Sequence, residues 1–252
     1  MFATITSNSD IDIDVAFDEF NQRMSRMWQE EISNSQLTKA VSNGELDKYL
    51  YAIYMIETYH YVSHNAANQA LVGVRMHQDS AYTKYCFKHA YEETGHEKMA
   101  LHDLSSMGFD KSKIVTSKPL PETETLIAYL YWICSNGNPL RRLGFSYWAE
   151  NSSEYLNPLM GKIKNTLNLD KNQMTFFIAH SEIDEKHSEE VKSIISRTCK
   201  NINDWKDMVT VAETSMRLAN FMTEAVYREY CLFMQGKSER YSFLNDIIMN
   251  EG

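Results

Sequence analysis

The stretch from Glu45 to His77 places the strongest constraint on the fold of this chain. Its apolar residues lie on nearly every side of the helix that it predicts, so other elements must bury that helix on most of its faces. The 252 residues include only 9 Gly and 4 Pro, which indicates few turns and long elements. We therefore predict an all-α fold, a bundle of about seven to eight helices forming a single domain over residues 1–252.

Apolar positions at helical spacing predict the other helices, and Gly, Asn and Pro predict where they end. The expected ranges are 12–34, 35–42, 80–107, 122–135, 140–165, 171–198 and 204–234. Residues 109–121 are expected to form a loop, Pro158 is a candidate kink, and a short docked helix is expected in the tail after Gly236.

Charge and cysteine usage argue against several classes of function. The net charge of −9 disfavours nucleic acid and anionic membrane surfaces as partners. The four Cys are far apart and form no Cys-x-x-Cys pair, so we expect neither a disulfide framework nor a zinc ribbon, and a reduced cytoplasm is the expected location. Neither a signal peptide nor an apolar run of about 18 residues is visible, so no membrane span is expected.

Three metal-ligand side chains share one face of the predicted helix 171–198. His180, Asp184 and His187 lie at i, i+4 and i+7, which stacks them over roughly two turns. Two imidazoles and a carboxylate suit a transition metal, and the carboxylate shifts the preference toward iron and manganese. The alternative is a solvated acidic face, because several Glu residues lie nearby.

A matching pair lies on the predicted helix 80–107. Glu93 and His96 form Glu-x-x-His, the ligand pair of helical di-iron carboxylate proteins. Glu92 is one turn from His96 and could replace Glu93. Asp103, at i+7 from His96, could orient the imidazole ring of that histidine.

The long early helix carries Glu57, whose carboxylate is costly in such apolar surroundings without a partner or a metal. Glu57 is therefore expected either to bind a metal or to form a hydrogen bond with a Tyr or His in the core. His60 and His64 lie on the same stripe and are expected to be core or supporting residues rather than ligands. On the predicted helix 140–165, Glu150 is expected to point inward, and Glu154, at i+4, is the alternative.

Three segments together resemble the haem-oxygenase-like di-iron oxidases and oxygenases, whose fold is shared by thiaminase II and pyrroloquinoline-quinone synthase. The segments are ETYHYVSHN at 57–65, YEETGHEKMALHDLSSMGF at 91–109 and AHSEIDEKH at 179–187. The resemblance covers roughly residues 45–235, which it implies to be the core of a single haem-oxygenase-like domain. The resemblance implies two iron ions, the first bound by Glu93, His96 and His180 and the second by Glu150, Asp184 and His187. It also implies that Glu57 bridges the irons or closes the site.

This resemblance implies an enzyme that uses O2 and two Fe2+ ions to oxidise a small organic acid or amino-acid-like molecule. The expected outcomes are N-oxygenation, desaturation or oxidative C–C cleavage, in specialised metabolism. No catalytic residue beyond the metal ligands and no haem are implied. The expected partner is a small-molecule substrate, and both a homodimer and an external electron donor are compatible with the resemblance.

Two other interpretations stay open. One is a metal-independent enzyme similar to thiaminase II, although Cys86 and Cys134 lie on apolar helices and are expected to be buried packing residues. The other is a non-catalytic helical binding protein in which His and Glu form core hydrogen bonds. The candidate anchors for a substrate carboxylate are Arg75, Arg141, Arg142 and Arg217.

Metal binding and local order are expected to be coupled. Without a cation, carboxylates that converge in a low-dielectric interior should raise one another's pKa values. Iron would relieve this repulsion, so it is expected to order residues 179–189.

Overall fold

The computed structural model describes residues 12–246, except for the side chains of residues 182–185. Within that part the chain is all-α, as predicted, and contains no strand. The α-helices in chain order are α1 (Ile13–Met27), α2 (Gln36–Asn43), α3 (Lys48–Val62), α4 (Asn65–Arg75), α5 (Ser80–Glu92), α6 (Glu97–Ser106), α7 (Lys111–Thr116), α8 (Pro121–Ser135), α9 (Arg142–Glu150), α10 (Ser153–Leu167), α11 (Thr175–Thr198) and α12 (Ile202–Met234). A π-helical turn covers Trp28–Ile32, and 3₁₀ turns cover Pro139–Arg141, Lys171–Gln173 and Ser242–Asn245.

Three of the predicted long helices are each divided into two, which gives more segments than expected. The predicted helix 45–77 breaks between α3 and α4, 80–107 breaks between α5 and α6, and 140–165 breaks between α9 and α10. Pro158 lies inside α10. The predicted loop 109–121 contains α7, and the tail forms a 3₁₀ turn at Ser242–Asn245, while the rest of its predicted helix lies outside the described residues.

The helix α3 lies at the centre of the molecule, as its apolar sequence predicts. Its residues Leu50, Ile53, Met55 and Ile56 have no exposed surface, and it packs against α6, α8 and α12. Burying aliphatic side chains of this size contributes about 1.5–3 kcal/mol each to the free energy of folding. Packing on several sides therefore makes α3 the element against which the other helices are arranged.

The close contact between α9 and α12 depends on Gly144. A Cβ atom at this position would lie 1.9 Å from the carbonyl oxygen of Met208 on α12. Only glycine permits this approach. Because α9 is held here, its last residue, Glu150, is directed into the interior, where it is 8 % exposed.

The start of α11 is held by a carboxylate from another helix. Met174, at the N-cap, provides no side-chain hydrogen bond. Asp103 on α6 accepts hydrogen bonds from the backbone N–H groups of Thr175 and Phe176 at 2.9 and 3.0 Å, and from the Thr175 hydroxyl at 2.5 Å. Asp103 therefore ties α6 to α11, which corrects the prediction that it orients the His96 ring.

No helix among the described residues combines the length and apolar character needed to cross a bilayer.

Candidate metal centre

Two groups of potential metal ligands lie together in the interior between α5, α6, α9 and α11. The first group contains Glu93, His96 and His180, and each residue offers one ligand atom within 4.8 Å of the others. The second group meets the same criterion and contains His89, Glu93, Glu150 and His187. Glu93 belongs to both groups, so the two positions for a metal ion adjoin each other.

In the second group, Glu150 lies between two imidazoles. His89 Nε2 is 3.0 Å from Glu150 Oε1, and His187 Nδ1 is 3.3 Å from Glu150 Oε2. Burial alone would raise the pKa of Glu150, but its contacts with His187 and His89 outweigh burial and lower that pKa to about 2. In turn, the contact with Glu150 raises the pKa of His187. The expectation that converging carboxylates all have raised pKa values is therefore wrong for Glu150.

In the first group, hydrogen bonds orient two of the three side chains. His180 Nδ1 is 2.7 Å from the carbonyl oxygen of Phe176, which can only accept, so Nδ1 carries a proton and Nε2 is left as a ligand atom. Asn65 Nδ2 lies 3.5 Å from Glu93 Oε2. His96 Nδ1 is 3.4 Å from Glu93 Oε1 and has no hydrogen-bond partner.

The break between α5 and α6 lies within this site. Glu93 is the C-cap of α5 and His96 is the N-cap of α6. Between them, Gly95 has φ +98, a backbone conformation that residues with a Cβ rarely adopt. The glycine therefore allows the turn on which two candidate ligands are carried.

The structure does not bring Glu57 to either group. Glu57 is fully buried, and it accepts hydrogen bonds from the Leu120 backbone N–H at 2.8 Å and from the hydroxyls of Thr123 and Tyr241. Burial is the largest influence on its pKa and raises it. The prediction that Glu57 bridges the irons is corrected, because its carboxylate is engaged by α8 and the C-terminal segment.

The other histidines of the early helices also lie outside both groups. His60 Nε2 is 3.0 Å from Ser117 Oγ, and His64 Nδ1 is 3.0 Å from the Tyr131 hydroxyl. Both histidines therefore form hydrogen bonds away from the two ligand groups, as expected for core or supporting residues.

The alternatives to the two predicted glutamates differ in their positions. Glu154 lies on α10 and is exposed, whereas Glu150 ends α9 and faces the site. Glu92 is partly exposed at the edge of the second group, where its Oε2 is 3.2 Å from Lys88 Nζ and 3.4 Å from His187 Nε2. The side chain of Asp184 lies outside the described residues, so its role stays a prediction.

His89 is the residue of the site that the sequence analysis missed. It is 4 % exposed and belongs to the second group. A signal was present: His89, Glu93 and His96 follow the spacing His-x3-Glu-x2-His, which parallels His-x3-Asp-x2-His at 180–187. Comparing the two spacings would have identified it.

The donor atoms fit iron. The first group supplies two imidazoles and one carboxylate, which is the composition of the facial ligand set of non-haem Fe(II) enzymes. The ring nitrogen of His96 is buried without a hydrogen-bond partner, which is costly unless another atom, such as a metal, occupies that position. These residues are therefore suited to hold a metal ion.

A cavity of about 170 Å³ adjoins the site, and Glu93, Glu150 and His180 form part of its wall. Most of the remaining wall is apolar or aromatic, including Tyr54, Tyr61, Phe145, Trp148, Phe176 and Phe177. Among the described residues, no Lys or Arg lines this cavity.

The predicted arginine anchors are engaged elsewhere. Arg142 is buried and donates to Asn68 and Ser146, and Arg75 donates to the carbonyl oxygens of Cys134 and Gly137. The guanidinium of Arg141 stacks on Trp132, and Arg217 lies near Glu31 on the surface.

Comparison with known proteins agrees with this fold and site. A family model described as iron-containing redox enzyme matches residues 52–220, more than half of the chain, and the chain therefore belongs to this family. A search of curated proteins found no match.

Solved structures share the haem-oxygenase-like fold. A domain of unknown function with a haem-oxygenase-like fold from Shewanella denitrificans is 50 % identical, with a TM-score of 0.86 over 89 % of this chain and 97 % of the other. A TenA homologue from Pseudomonas syringae has 11 % identity and a TM-score of 0.72, covering 89 % of this chain and 99 % of that protein. A TenA homologue from P. horikoshii has 12 % identity and a TM-score of 0.70, covering 84 % and 98 %. The last two likenesses concern the fold alone.

Proposed function

We propose that this protein is an O2-dependent non-haem di-iron oxidase or oxygenase. The observation that carries the proposal is the pair of adjoining ligand groups that share Glu93. The first group contains two imidazoles and one carboxylate, and the second contains two imidazoles and two carboxylates. Two ferrous ions bound there would supply two of the electrons for the reduction of dioxygen, and the substrate or an external donor would supply the others. The ligand set we propose consists of Glu93, His96, His180, Glu150 and His187, together with Asp184.

The protein's own residues prepare this chemistry in two ways. The Phe176 carbonyl fixes the His180 ring, and His89 holds the Glu150 carboxylate, so these side chains need little reorganisation when a metal arrives. The apolar cavity wall keeps bulk water from the reacting atoms, which protects a reactive oxidant from side reactions.

The proposed substrate is a small organic acid or an amino-acid-like molecule, oxidised by N-oxygenation, desaturation or C–C cleavage. The cavity at the ligand groups is the proposed binding site, and its aromatic wall favours an apolar substrate body. Because no Lys or Arg of the described residues lines the cavity, a substrate carboxylate would be recognised at the metal and not by an arginine. An external electron donor and a homodimer remain compatible with this proposal.

The cysteines do not favour the alternative of a metal-independent thiol enzyme. Burial raises the pKa of Cys86 and of Cys199 to about 12, and burial also raises the pKa of Cys134. A thiol with such a pKa is protonated at neutral pH, and the thiolate is the nucleophile. None of these three cysteines lines the cavity beside the ligand groups.

Anaerobic titration with Fe(II), followed by exposure to O2, tests the proposal. We expect wild-type protein to bind two Fe(II) and to consume O2 with a chemical reductant and a panel of carboxylic and amino acids. His96→Ala and His180→Ala are each expected to lose one iron and the O2-dependent turnover while remaining helical. His77→Ala, at an exposed histidine outside both groups, is the control and should behave as wild type. A wild-type protein that binds no iron would refute the proposal.

A further inference from the structure

His89 lies where a further imidazole ligand would be needed. Its Nε2 is 3.0 Å from Glu150 Oε1, and its ring centroid is 5.1 Å from that of His187. Its Nδ1 is buried without a hydrogen-bond partner. A buried polar atom is normally paired, and the hydrogen bond to Glu150 provides a partner only for Nε2. The Nδ1 atom of His89 is therefore free to bind another group.

The two His-x3-acid-x2-His motifs face each other in opposite directions. His89, the first histidine of one motif, contacts His187, the last histidine of the other. His96 and His180 form the reciprocal pair, with ring centroids 4.9 Å apart. The first histidine of each motif thus lies beside the last histidine of the other motif.

This reciprocal pairing gives each candidate metal position two imidazoles. His96 and His180 belong to the group that Glu93 completes. His89 and His187 belong to the group that contains Glu150 and shares Glu93. Each position then has the two histidines and one carboxylate that suit non-haem Fe(II), and Glu93 can bridge the two.

We propose that His89 is a ligand of the second iron, so that the di-iron centre contains four histidines. This inference rests on the proposed function, since it concerns the same metal centre. The competing role for His89 is that of a positioning residue, which only holds Glu150 by a hydrogen bond. The two roles differ in their consequence: a ligand contributes directly to the affinity for the metal, whereas a positioning residue can be replaced by another hydrogen-bond donor.

His89→Gln separates the roles, because the glutamine amide can still donate to Glu150 but is a poor ligand for iron. We expect anaerobic titration with Fe(II) and with Co(II) to show that the second ion binds more than ~100-fold more weakly in this variant, since loss of an outer partner costs only about 10–100-fold. The matched control is His64→Gln, where a half-buried histidine bonded to Tyr131 outside both groups is exchanged in the same way. This control should bind two ions as wild type does.

The outcomes distinguish the two proposals. If wild type and His89→Gln both bind two ions with equal affinity, the role of His89 as a ligand is overturned and the di-iron proposal is left intact. No ions bound by wild type would overturn both.

Because His89→Gln could fold poorly, the Co(II)-loaded wild type supplies an independent measurement. Its ¹H NMR spectrum is expected to contain four hyperfine-shifted imidazole N–H signals, and three signals would overturn the proposal.

Discussion

Replacing Asp103 tests how the fold holds the ligands of α11. Asp103→Ala removes the acceptor for two backbone N–H groups at the start of that helix, at 2.9 and 3.0 Å, and for the Thr175 hydroxyl. His180 lies in the second turn of the same helix and donates to the carbonyl of Phe176, one of the two residues that Asp103 caps. The substitution should therefore lower both the stability of the protein and its affinity for iron.

The magnitude follows from the bonds that are lost. A lost helix cap costs about 0.5–2 kcal/mol, and a buried donor left without a partner costs about 1–3 kcal/mol. Because Asp103 has no exposed surface and water reaches its partners poorly, we expect the free energy of unfolding to fall by ~2–4 kcal/mol. For a chain of this size, that corresponds to a decrease in Tm of roughly 4–16 °C. Asp103→Asn keeps one acceptor oxygen and should lie between wild type and Asp103→Ala.

Thermal unfolding followed by circular dichroism, with and without Fe(II), measures the effect. Asp110→Ala is the control, since Asp110 also accepts a backbone N–H at a helix start but caps its own short helix, α7, on the exposed surface, and the Tm of this variant should change much less. An Asp103→Ala variant that unfolds at the wild-type temperature would refute the role of Asp103 in holding the start of α11. A variant of lower Tm with unchanged iron affinity would refute the link between the cap and the site.

Four further predictions concern the site. Glu57→Gln should bind as much Fe(II) as wild type in anaerobic titration, because Glu57 is engaged away from both groups; a lost ion would return it to the ligand set. Burial raises the pKa of Glu57, so the stability that its neutral carboxyl group contributes is present below the unfolded pKa and is lost as the pH rises through the folded pKa. From about pH 4 to pH 7, the urea midpoint of Glu57→Gln should therefore rise relative to that of wild type. Glu150→Ala should lower the iron stoichiometry and Glu154→Ala should not, which metal analysis can check. Hydrogen exchange at residues 179–189 should slow on Fe(II) binding, and equal protection in both forms would contradict coupled ordering.

The sequence predicts those parts of the fold and site that depend on local spacing. Helical periodicity places His180 and His187 on one face, and the structure brings them to Glu93, His96 and Glu150, which spacing and position along the chain also indicate. Local spacing also contains the signal for His89, which repeats the pattern of the later motif. These residues can be predicted because short-range helix geometry decides which side chains share a face.

The errors come from contacts between distant parts of the chain. Glu57 is bonded to Tyr241, which is 184 residues away, and no periodicity indicates that the C-terminal segment returns to α3. Asp103 caps a helix that begins 72 residues later, so its spacing from His96 is a misleading signal. Buried carboxylates need partners, but the sequence does not reveal which distant donor supplies them.

The charges of the site indicate the order in which its ligands can bind. In the metal-free protein Glu150 is ionised, because His187 and His89 hold its pKa at about 2, and it faces the cavity together with Glu93. No Lys or Arg of the described residues lines that cavity, and the imidazole of His187 is already paired with Glu150, so a substrate carboxylate entering the cavity would lack a cationic partner of its own. Two Fe(II) ions would reverse the sign of the local charge and supply the missing partner. Metal binding should therefore precede the binding of an acidic substrate, and under the proposed function the same ions would also select the substrate.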